Sequence, residues 1–471
     1  MKKIRLFFLI GSMILLVPCA SCGESGNPAT DTSKNTDSTE VPVETPKETY
    51  FPKDVWNVDY TNDYQSKTSQ FNIYRMKETA DFVAFWETGF GISPATTSNT
   101  KFRFPLGDLL DESEKMYAFY RDKLKFVEKG NSLTDKYRMV LYCYYNEDGT
   151  VYGGGADNKV GVMWLSPGRV QTKPFAAMAH EMGHAFQYMV AVDGAWGFST
   201  SPAGSKGQAI FEMTSQFMLW QFYPNWITFE NYHLNTFMLN SHKAFLHEDN
   251  RYCAPFVLEY WANKHGIDII GKIWRQALKG EDPVMTYKRI TGIDQKTFND
   301  EMFDASCRFI TWDMDRIREV SKNYANLQTS AFTSIGDGWY RIAESRCPQN
   351  YGYNGIRLEV PAAGTTVTLD FKGIAGATGY RSVKVDEAGW RYGFLAETAD
   401  NKRIYGEVHS AVEGQAKFTV PENTAYLWVV VTGAPTEHWE HSWDDYTGND
   451  EQWPYQIKLT GTTLHSTVQK N

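Results

Sequence analysis

The sequence lacks the short motifs that mark several common enzyme classes. It contains no phosphate-binding loop, no G-x-G-x-x-G dinucleotide fingerprint and no G-x-S-x-G nucleophile elbow. Its formal net charge is −9 at pH 7, whereas a chain that binds nucleic acid normally carries a basic face. These absences argue against a nucleotide-dependent enzyme, an elbow-type serine hydrolase and a nucleic-acid partner.

Cysteine is also scarce, with six residues in a chain of 471. Two lie near the N-terminus, and the other four show no C-x-x-C spacing: Cys143, Cys253, Cys307 and Cys347. We therefore expect neither a structural zinc knuckle nor a thioredoxin-like redox site. The four residues fit free buried thiols as well as one or two disulfides, and the sequence leaves both open.

Residues 1–21 have the composition of a signal peptide. Basic residues at positions 2, 3 and 5 precede an apolar run over residues 6–17, which is too short to be a permanent membrane span. Small residues stand before Cys22, as in a bacterial lipobox, whereas Cys19 follows a proline. We predict lipidation of Cys22 and attachment in the cell envelope, at the outer membrane or on the cell surface. Plain secretion is the alternative.

Composition divides the rest of the chain into a tether and two folded parts. Residues 22–50 are rich in Thr, Ser, Pro, Asp and Glu, so they bury too little apolar surface to fold and are predicted to form a disordered tether. Residues 51–330 mix helical and strand patterns. Residues 331–471 alternate between apolar and polar side chains, with turn residues between the runs, which predicts an antiparallel β-sandwich. The predicted class is α+β.

The first part contains a recognisable order of elements. Apolar spacing predicts helices over residues 108–126, 174–192 and 208–222, and more helices over 232–325. Strands are predicted over 138–145 and 160–165, with a loop at Gly153–Gly155 between them. Pro174 suits the first turn of its helix because a proline there loses no hydrogen bond.

The segment His180-Glu181-Met182-Gly183-His184 has the HExxH pattern. On a helix, positions i and i+4 share one face, so both imidazoles can reach the same metal ion. In such sites the glutamate acts as a general base rather than as a ligand. We predict that His180 and His184 bind Zn²⁺ and that Glu181 is catalytic. A helix that merely carries two surface histidines is the alternative.

A catalytic zinc ion needs a third protein ligand. The HExxHxxGxxH class is excluded because Gln187 and Val190 hold the places of its glycine and third histidine. Glu212 is the preferred third ligand, since it is nearly the only charge in a strongly apolar helix, where an unpaired carboxylate is costly. A glutamate hydrogen-bonded to a neighbour is the alternative. Weaker candidates for the ligand are Asp193, Glu230 and His233.

Other residues are candidates for supporting roles. Gln216 lies one turn after Glu212 and is placed to accept a hydrogen bond from the outer nitrogen of His180. A tyrosine or histidine would stabilise the oxyanion, and the sequence offers four candidates, with a role in the core equally open for each: Tyr252, His233, His242 and Tyr260.

With these residues, the chain resembles the gluzincin group of zinc metallopeptidases over about residues 105–280. That resemblance implies a zincin-like fold with the glutamate ligand on a later helix. It also implies a strand that binds extended peptide by edge pairing, for which residues 160–165 are the match. The chain further resembles uncharacterised HExxH lipoproteins of gut bacteria, through residues 175–187, 211–221 and 348–354.

These expectations give two functional hypotheses. The first is a lipid-anchored zinc metallopeptidase that hydrolyses peptide bonds in protein, glycoprotein or cell-wall peptide. The second is a surface lipoprotein that binds glycan or protein and uses the zincin-like part as a scaffold. Tryptophans between Trp439 and Trp453 suit stacking on carbohydrate, and equally suit packing inside the sandwich.

Overall fold

The computed structural model describes residues 46–198, 208–444 and 446–470. The predicted signal peptide, Cys22 and residues 22–45 of the predicted tether lie outside these ranges. Contacts with the folded body already begin within the range assigned to the tether. The Glu48 N–H donates to the Lys136 carbonyl at 2.8 Å, and the Arg138 N–H donates to the Glu48 carbonyl at 3.0 Å.

The first part of the described chain is built around a mixed sheet. Its strands are β1 (Met76–Glu78), β2 (Phe82–Trp86), β3 (Met139–Cys143), β4 (Val151–Ala156) and β5 (Val160–Leu165), and helix α1 (Leu106–Asp122) connects β2 to β3. The strand order is β1-β2-β3-β5-β4, in which β2, β3 and β5 are parallel and β1 and β4 antiparallel to their neighbours. The three parallel strands are buried along their whole length, which explains their continuous apolar sequences.

Two sequence expectations about this sheet are wrong. Gly153–Gly155 belongs to strand β4 and not to a loop, because the absence of side chains there lets the strand approach the helix beside it. Strand β5 pairs with β3 on one side and β4 on the other, so residues 160–165 do not form an edge. The edge next to β5 is β4.

Helices follow this sheet along the chain. The first two are α2 (Ala176–Val192) and α3 (Gln208–Phe222), close to the predicted bounds. The remaining helices of the first part are α4 (Trp226–Phe229), α5 (Tyr232–Leu239), α6 (Pro255–His265), α7 (Ile269–Gln276), α8 (Pro283–Thr291), α9 (Gln295–Thr311) and α10 (Arg318–Ser321). Helix α2 packs against β4, β5 and α3, which places the HExxH segment between the sheet edge and the helical layer.

The C-terminal part consists of β-strands, as its alternation predicts. They are β6 (Ala331–Gly336), β7 (Trp339–Ile342), β8 (Tyr353–Leu358), β9 (Thr366–Gly373), β10 (Trp390–Thr398), β11 (Arg403–Tyr405), β12 (Glu413–Thr419), β13 (Thr424–Gly433), β14 (Tyr455–Thr460) and β15 (Gln469–Lys470). Among the described residues they form one sheet in the order β11-β10-β13-β8 and another in the order β12-β9-β14-β7-β6-β15. The pairs are antiparallel except β15 with β6. The α+β class is confirmed.

The sheet that contains β10 and β13 faces two cores. Phe394 and Val429 join the core between the two C-terminal sheets. Leu395, Trp428 and Val430 instead join the apolar core of the first part of the chain, where helix α9 contacts β10 and β13. Side chains alternate along a strand, so each strand contributes to both cores.

The four cysteines in the described residues are buried free thiols. Burial raises the pKa of Cys143 and Cys307 far above the ordinary range and that of Cys253 to about 11, so these groups stay protonated at neutral pH. The disulfide alternative is therefore wrong for these residues. In the described part of the chain, the helices are too short or too polar to cross a membrane.

Candidate metal centre

Helices α2 and α3 bring three of the predicted site residues together. His180 and His184 lie one turn apart on α2, with ring centroids 5.0 Å apart, and Glu212 faces them from α3. The helices can approach because Gly183 has no side chain; a Cβ there would lie 2.7 Å from the Ser215 Oγ. The absence of a side chain at Gly183 therefore allows α3 to bring Glu212 close to the two histidines of α2.

The ligand atoms of these residues converge on one point. The Glu212 Oε2 lies 3.0 Å from the His180 Nε2 and 3.3 Å from the His184 Nε2. The side chains of His180, His184 and Glu212 are 12%, 15% and 25% exposed, so the group is sheltered yet open on one side. Burial would raise the pKa of Glu212, but hydrogen bonds from both imidazoles outweigh it and hold that pKa well below its ordinary value.

Two buried glutamines orient the imidazoles. The Gln216 Oε1 lies 3.1 Å from the His180 Nδ1, as the sequence predicts. The Gln187 Oε1 lies 3.0 Å from the His184 Nδ1, while its amide donates to the Phe211 carbonyl at 2.9 Å. An amide oxygen can only accept a hydrogen bond, so each imidazole carries a proton on Nδ1, and Nε2 is the ring atom directed at Glu212 and at a bound ion.

His233 and Tyr252 extend this arrangement beyond Gln216. The Gln216 Nε2 lies 3.1 Å from the His233 Nε2 and 3.4 Å from the Tyr252 carbonyl oxygen. Because Gln216 donates through its amide, His233 accepts at Nε2. Burial, with a smaller electrostatic contribution from His180, lowers the pKa of His233 to about 4, so its imidazole is neutral at pH 7. His233 Nε2 is therefore not an oxyanion donor in this arrangement.

The hydroxyl-bearing ring of Tyr252 stands at the mouth of the site. Its ring centroid lies 6.1 Å from that of His180, and the side chain is partly exposed. Burial and the charge of Glu212 raise the pKa of Tyr252, so the hydroxyl keeps its proton at neutral pH. The hydroxyl also interacts with Glu212, so it lies close to the converging ligand atoms.

The remaining candidates lie farther away or have other partners. Tyr260 donates to the Asp304 carboxylate at 2.9 Å, and Asp193 accepts from the Leu133 N–H at 2.9 Å at the end of α2. Glu230 does line the cavity, but it accepts a hydrogen bond from the Trp226 indole at 2.5 Å. His242 is engaged with the chain around Leu239 and Arg346. Among the described residues, none of these four side chains belongs to the group of converging ligand atoms.

Glu181 lies beside the converging atoms and not among them. Burial raises the pKa of its carboxyl group, partly offset by the neighbouring imidazoles and by a hydrogen bond from the backbone of Gly153. A carboxylate with a raised pKa is a stronger base at neutral pH than an ordinary one. Strand β4 thus contacts the side chain that the sequence assigns to catalysis.

A cleft of about 680 Å³ opens above these residues. Its floor contains His180, Glu181, His184 and Glu212, and its walls come from the start of β4, from α3 and from the region around α5, with these residues among them: Gly149, Thr150, Val151, Tyr152, Gly153, Phe211, Leu219, Tyr232, His233 and Tyr252. The volume is in the range of ordinary ligand sites, and the edge strand runs along one side.

Comparison with known proteins gives a family but no activity. A family model described as a family of unknown function, DUF6055, matches residues 42–466. The chain belongs to the DUF6055 family. The match covers both the helical part and the sandwich of this DUF6055 chain. No curated protein matches.

Among solved structures, a mutant family 29 carbohydrate-binding module in complex with cellulohexaose is similar to part of this DUF6055 chain. The identity is 14%, the match covers 29% of this chain and 76% of that one, and the TM-score is 0.16. Within the segment from Trp439 to Trp453, Trp453 is fully buried in the core between the C-terminal sheets, and its ring centroid lies 5.8 Å from that of the partly buried Trp439. These two tryptophans therefore pack against each other.

Sequence reasoning missed two features of this site. Gln187 was considered only as a residue that excludes a third histidine, although a buried amide three residues after a ligand histidine is a signal for an orienting partner. The role of Gly153 was missed because its contact with Glu181 joins parts of the chain that are not adjacent in sequence.

Proposed function

We propose that this chain is a zinc-dependent peptidase whose metal is held by His180, His184 and Glu212. The observation that carries the proposal is the convergence of two imidazole nitrogens and one carboxylate oxygen beside the separate carboxylate of Glu181. A metal site with a purely structural role has no need of a neighbouring base.

The residues fit zinc in donor type, distance and orientation. Two imidazoles and a carboxylate form a known set of ligands for catalytic zinc, with metal–ligand bonds of roughly 2.0–2.2 Å. Ligand atoms on a tetrahedron of that size are roughly 3.3–3.6 Å apart, near the 3.0 and 3.3 Å found between Glu212 and the histidines. The glutamine contacts set the imidazole protons on the outer nitrogens, which leaves Nε2 free to bind.

Zinc at this position would supply Lewis-acid chemistry, polarising a scissile carbonyl and acidifying water. Glu181 would accept the proton of the attacking water and deliver it to the leaving nitrogen, for which its raised pKa is suited. Tyr252 would donate its hydroxyl proton in a hydrogen bond to the developing oxyanion. His233 would act through Gln216, by holding the amide that orients His180.

An extended peptide is the substrate that the cleft favours. The edge strand β4 contributes Val151, Tyr152 and Gly153 to the cleft wall, and the main chain of an edge strand can pair with an added strand. Because β4 also reaches Glu181, a peptide paired with this strand would pass beside the base. We therefore propose β4, in place of residues 160–165, as the strand that aligns the substrate.

Two further proposals concern the type of fold and the cellular location. We propose that the first part of the chain is a zincin-like domain of the gluzincin type, supported by a third ligand on the helix after the HExxH helix. We also propose attachment to the cell envelope through Cys22, supported by the lipobox-like sequence before it. Protein, glycoprotein or cell-wall peptide outside the cytoplasm would then be the substrate.

The proposal is tested by metal content and cleavage together. The full-length protein is purified in detergent, its metal content measured, and a mixed panel of proteins and glycoproteins digested and read by mass spectrometry. We expect cleavage that a chelator abolishes and Zn²⁺ restores, and His180→Ala should lose both cleavage and the equivalent of zinc bound in the cleft. Bound zinc without cleavage across the panel would contradict the enzyme and favour a binding lipoprotein instead.

A further inference from the structure

A second group of metal-ligand side chains lies away from the cleft, where the two parts of the chain meet. His247 and Glu248 lie in the connection between α5 and α6, and His441 lies in the connection between β13 and β14. The possible ligand atoms of the three residues all lie within 4.8 Å of one another. Their side chains are only 1%, 4% and 7% exposed.

The carboxylate of Glu248 is the centre of this group. Its Oε2 lies 3.5 Å from the His247 Nδ1 and 3.4 Å from the His441 Nε2. Within the described residues, this buried oxygen has no hydrogen-bond partner. An unpaired buried carboxylate oxygen is costly, so a ligand is expected at this point.

The distances fit a shared cation better than direct hydrogen bonds. A hydrogen bond between an imidazolium and a carboxylate is about 2.7–2.9 Å long, which is shorter than either separation. Ligand atoms around tetrahedral zinc are roughly 3.3–3.6 Å apart, given bonds of roughly 2.0–2.2 Å. Both distances from the Glu248 oxygen to the histidines are therefore those of neighbouring ligands around one ion.

Asp450 prepares His247 for such a role. The His247 Nε2 lies 3.3 Å from the Asp450 Oδ2, so the ring carries its proton on Nε2 and its lone pair on Nδ1. This is the carboxylate–histidine pair that orients metal ligands. The Nδ1 lone pair accepts a hydrogen bond from the Asp249 N–H at 3.0 Å, and a bound ion would replace that hydrogen bond.

The charges around the group also favour a cation. Glu248, Asp450 and Glu451 are all buried here, at 4%, 5% and 2% exposure. Three carboxyl groups face two imidazoles, so a divalent ion would offset negative charge that is expensive to bury. Nearby cations have other partners: Lys243 pairs with Asp249, Arg251 lies over the rings of Tyr252 and Trp443, and the Arg381 Nε donates to the Asp450 main-chain carbonyl at 2.8 Å.

We infer that His247, Glu248 and His441 form a second metal site, for a zinc-like divalent ion, that joins the helical part to the sandwich. Imidazole and carboxylate ligands together suit zinc better than the oxygen-preferring ions. The site is structural, because burial leaves no cleft for a substrate. It also holds the connection between α5 and α6, which contains Tyr252 at the mouth of the cleft.

The test is the metal content of the full-length protein and its variants, which is independent of catalysis. We expect Glu248→Gln and His441→Ala each to lose one equivalent of zinc relative to wild type. His438→Ala is the matched control, because His438 is a buried histidine of the same connection that contacts Asp282 at 2.6 Å and Tyr351 at 2.9 Å. It should keep the full metal content. Unchanged zinc in both ligand variants would overturn the inference.

A second measurement avoids any dependence on how these variants fold. The double variant His180→Ala/His184→Ala removes the cleft site and leaves the second group intact. Titration of this protein with Co²⁺ should give one equivalent of ligand-field absorption with nitrogen and oxygen ligands. If it binds neither Co²⁺ nor Zn²⁺ at micromolar concentration, the second site does not exist, whatever the outcome for the cleft. Conversely, if the double variant binds one equivalent of Co²⁺ but the wild-type protein cleaves no substrate, only the proposed peptidase activity is contradicted.

Discussion

Gly153 on β4 and Glu181 on α2 approach so closely that a Cβ on Gly153 would lie 1.9 Å from the Glu181 carbonyl oxygen. The strand at the edge of the sheet therefore rests directly on the helix turn that carries the proposed base. A Cβ on Gly155 would likewise lie 2.0 Å from the Tyr188 ring. The glycine run is needed for contact and not for flexibility.

Replacing Gly153 by alanine should separate strand from helix. Because the obstructing atoms belong to the backbone, we expect Gly153→Ala to cost about 1–3 kcal/mol of unfolding free energy and to reduce kcat/KM. The neighbouring Gly154→Ala is the matched control, since its Cβ would meet the Trp164 ring at 3.6 Å, an ordinary contact. Chemical denaturation and peptidase assays check both. Equal effects of the two substitutions would contradict the argument.

Glu181→Gln should abolish proton transfer without removing the metal. Loss of a general base costs roughly 10²–10⁴-fold in rate, and the amide keeps the size of the side chain. We expect kcat to fall by that factor, while zinc stoichiometry stays at the wild-type value. Steady-state kinetics and metal analysis on the same preparation provide the check. Loss of zinc in Glu181→Gln would mean that Glu181 is a ligand.

Gln216→Ala and Gln187→Ala should weaken zinc binding at the cleft. Removal of a partner that orients a ligand histidine costs roughly 10–100-fold in metal affinity. Gln221→Ala is the control, because Gln221 lies on the same helix and donates to the Glu259 carboxylate at 2.7 Å, away from the imidazoles. Competition with a chromophoric chelator measures the three affinities. If the control weakens zinc as much as Gln216→Ala does, the orienting role is wrong.

His242 should make the protein less stable in mild acid. Burial, reinforced by the positive charge of Arg346, lowers the pKa of His242 to about 3 from its ordinary value of 6.5. Between these values the unfolded chain binds a proton that the folded chain does not, so the free energy of unfolding falls as the pH drops from about 6.5 towards 3.

We expect His242→Gln to reduce the proton uptake on unfolding between pH 4 and 5.5 by about one proton. The dependence of Tm on pH, with calorimetric enthalpies, gives this number. His465→Gln is the comparison, because His465 bonds Thr467 in an exposed turn. If the dependence of Tm on pH is the same in His242→Gln as in the wild type, groups other than His242 cause the loss of stability in acid.

Local patterns were sufficient for the elements and for the centre of the site. Helices α2 and α3 have apolar residues at helical spacing, and the i, i+4 histidines share one face for geometric reasons. Glu212 could be chosen because a lone charge on an apolar helix needs a partner. Each of these inferences uses residues that lie close together in the chain.

Long-range contacts could not be predicted in this way. The Gly153–Gly155 run looks like a turn until the helix beside it is known, and β5 looks like an edge until β4 is paired with it. His247 and His441 meet only because the sandwich folds against the connection between α5 and α6. Nothing in the sequence near either histidine reveals the other.

The two-sided strands β10 and β13 also have a consequence for how such a protein evolves. Their inward residues fill the sandwich, while Leu395, Trp428 and Val430 fill the core of the other part. A sandwich transferred to another protein would carry an uncovered apolar face, so it is not a portable module. The family match, which runs from residue 42 to residue 466 without a break, is what inheritance as one piece would produce.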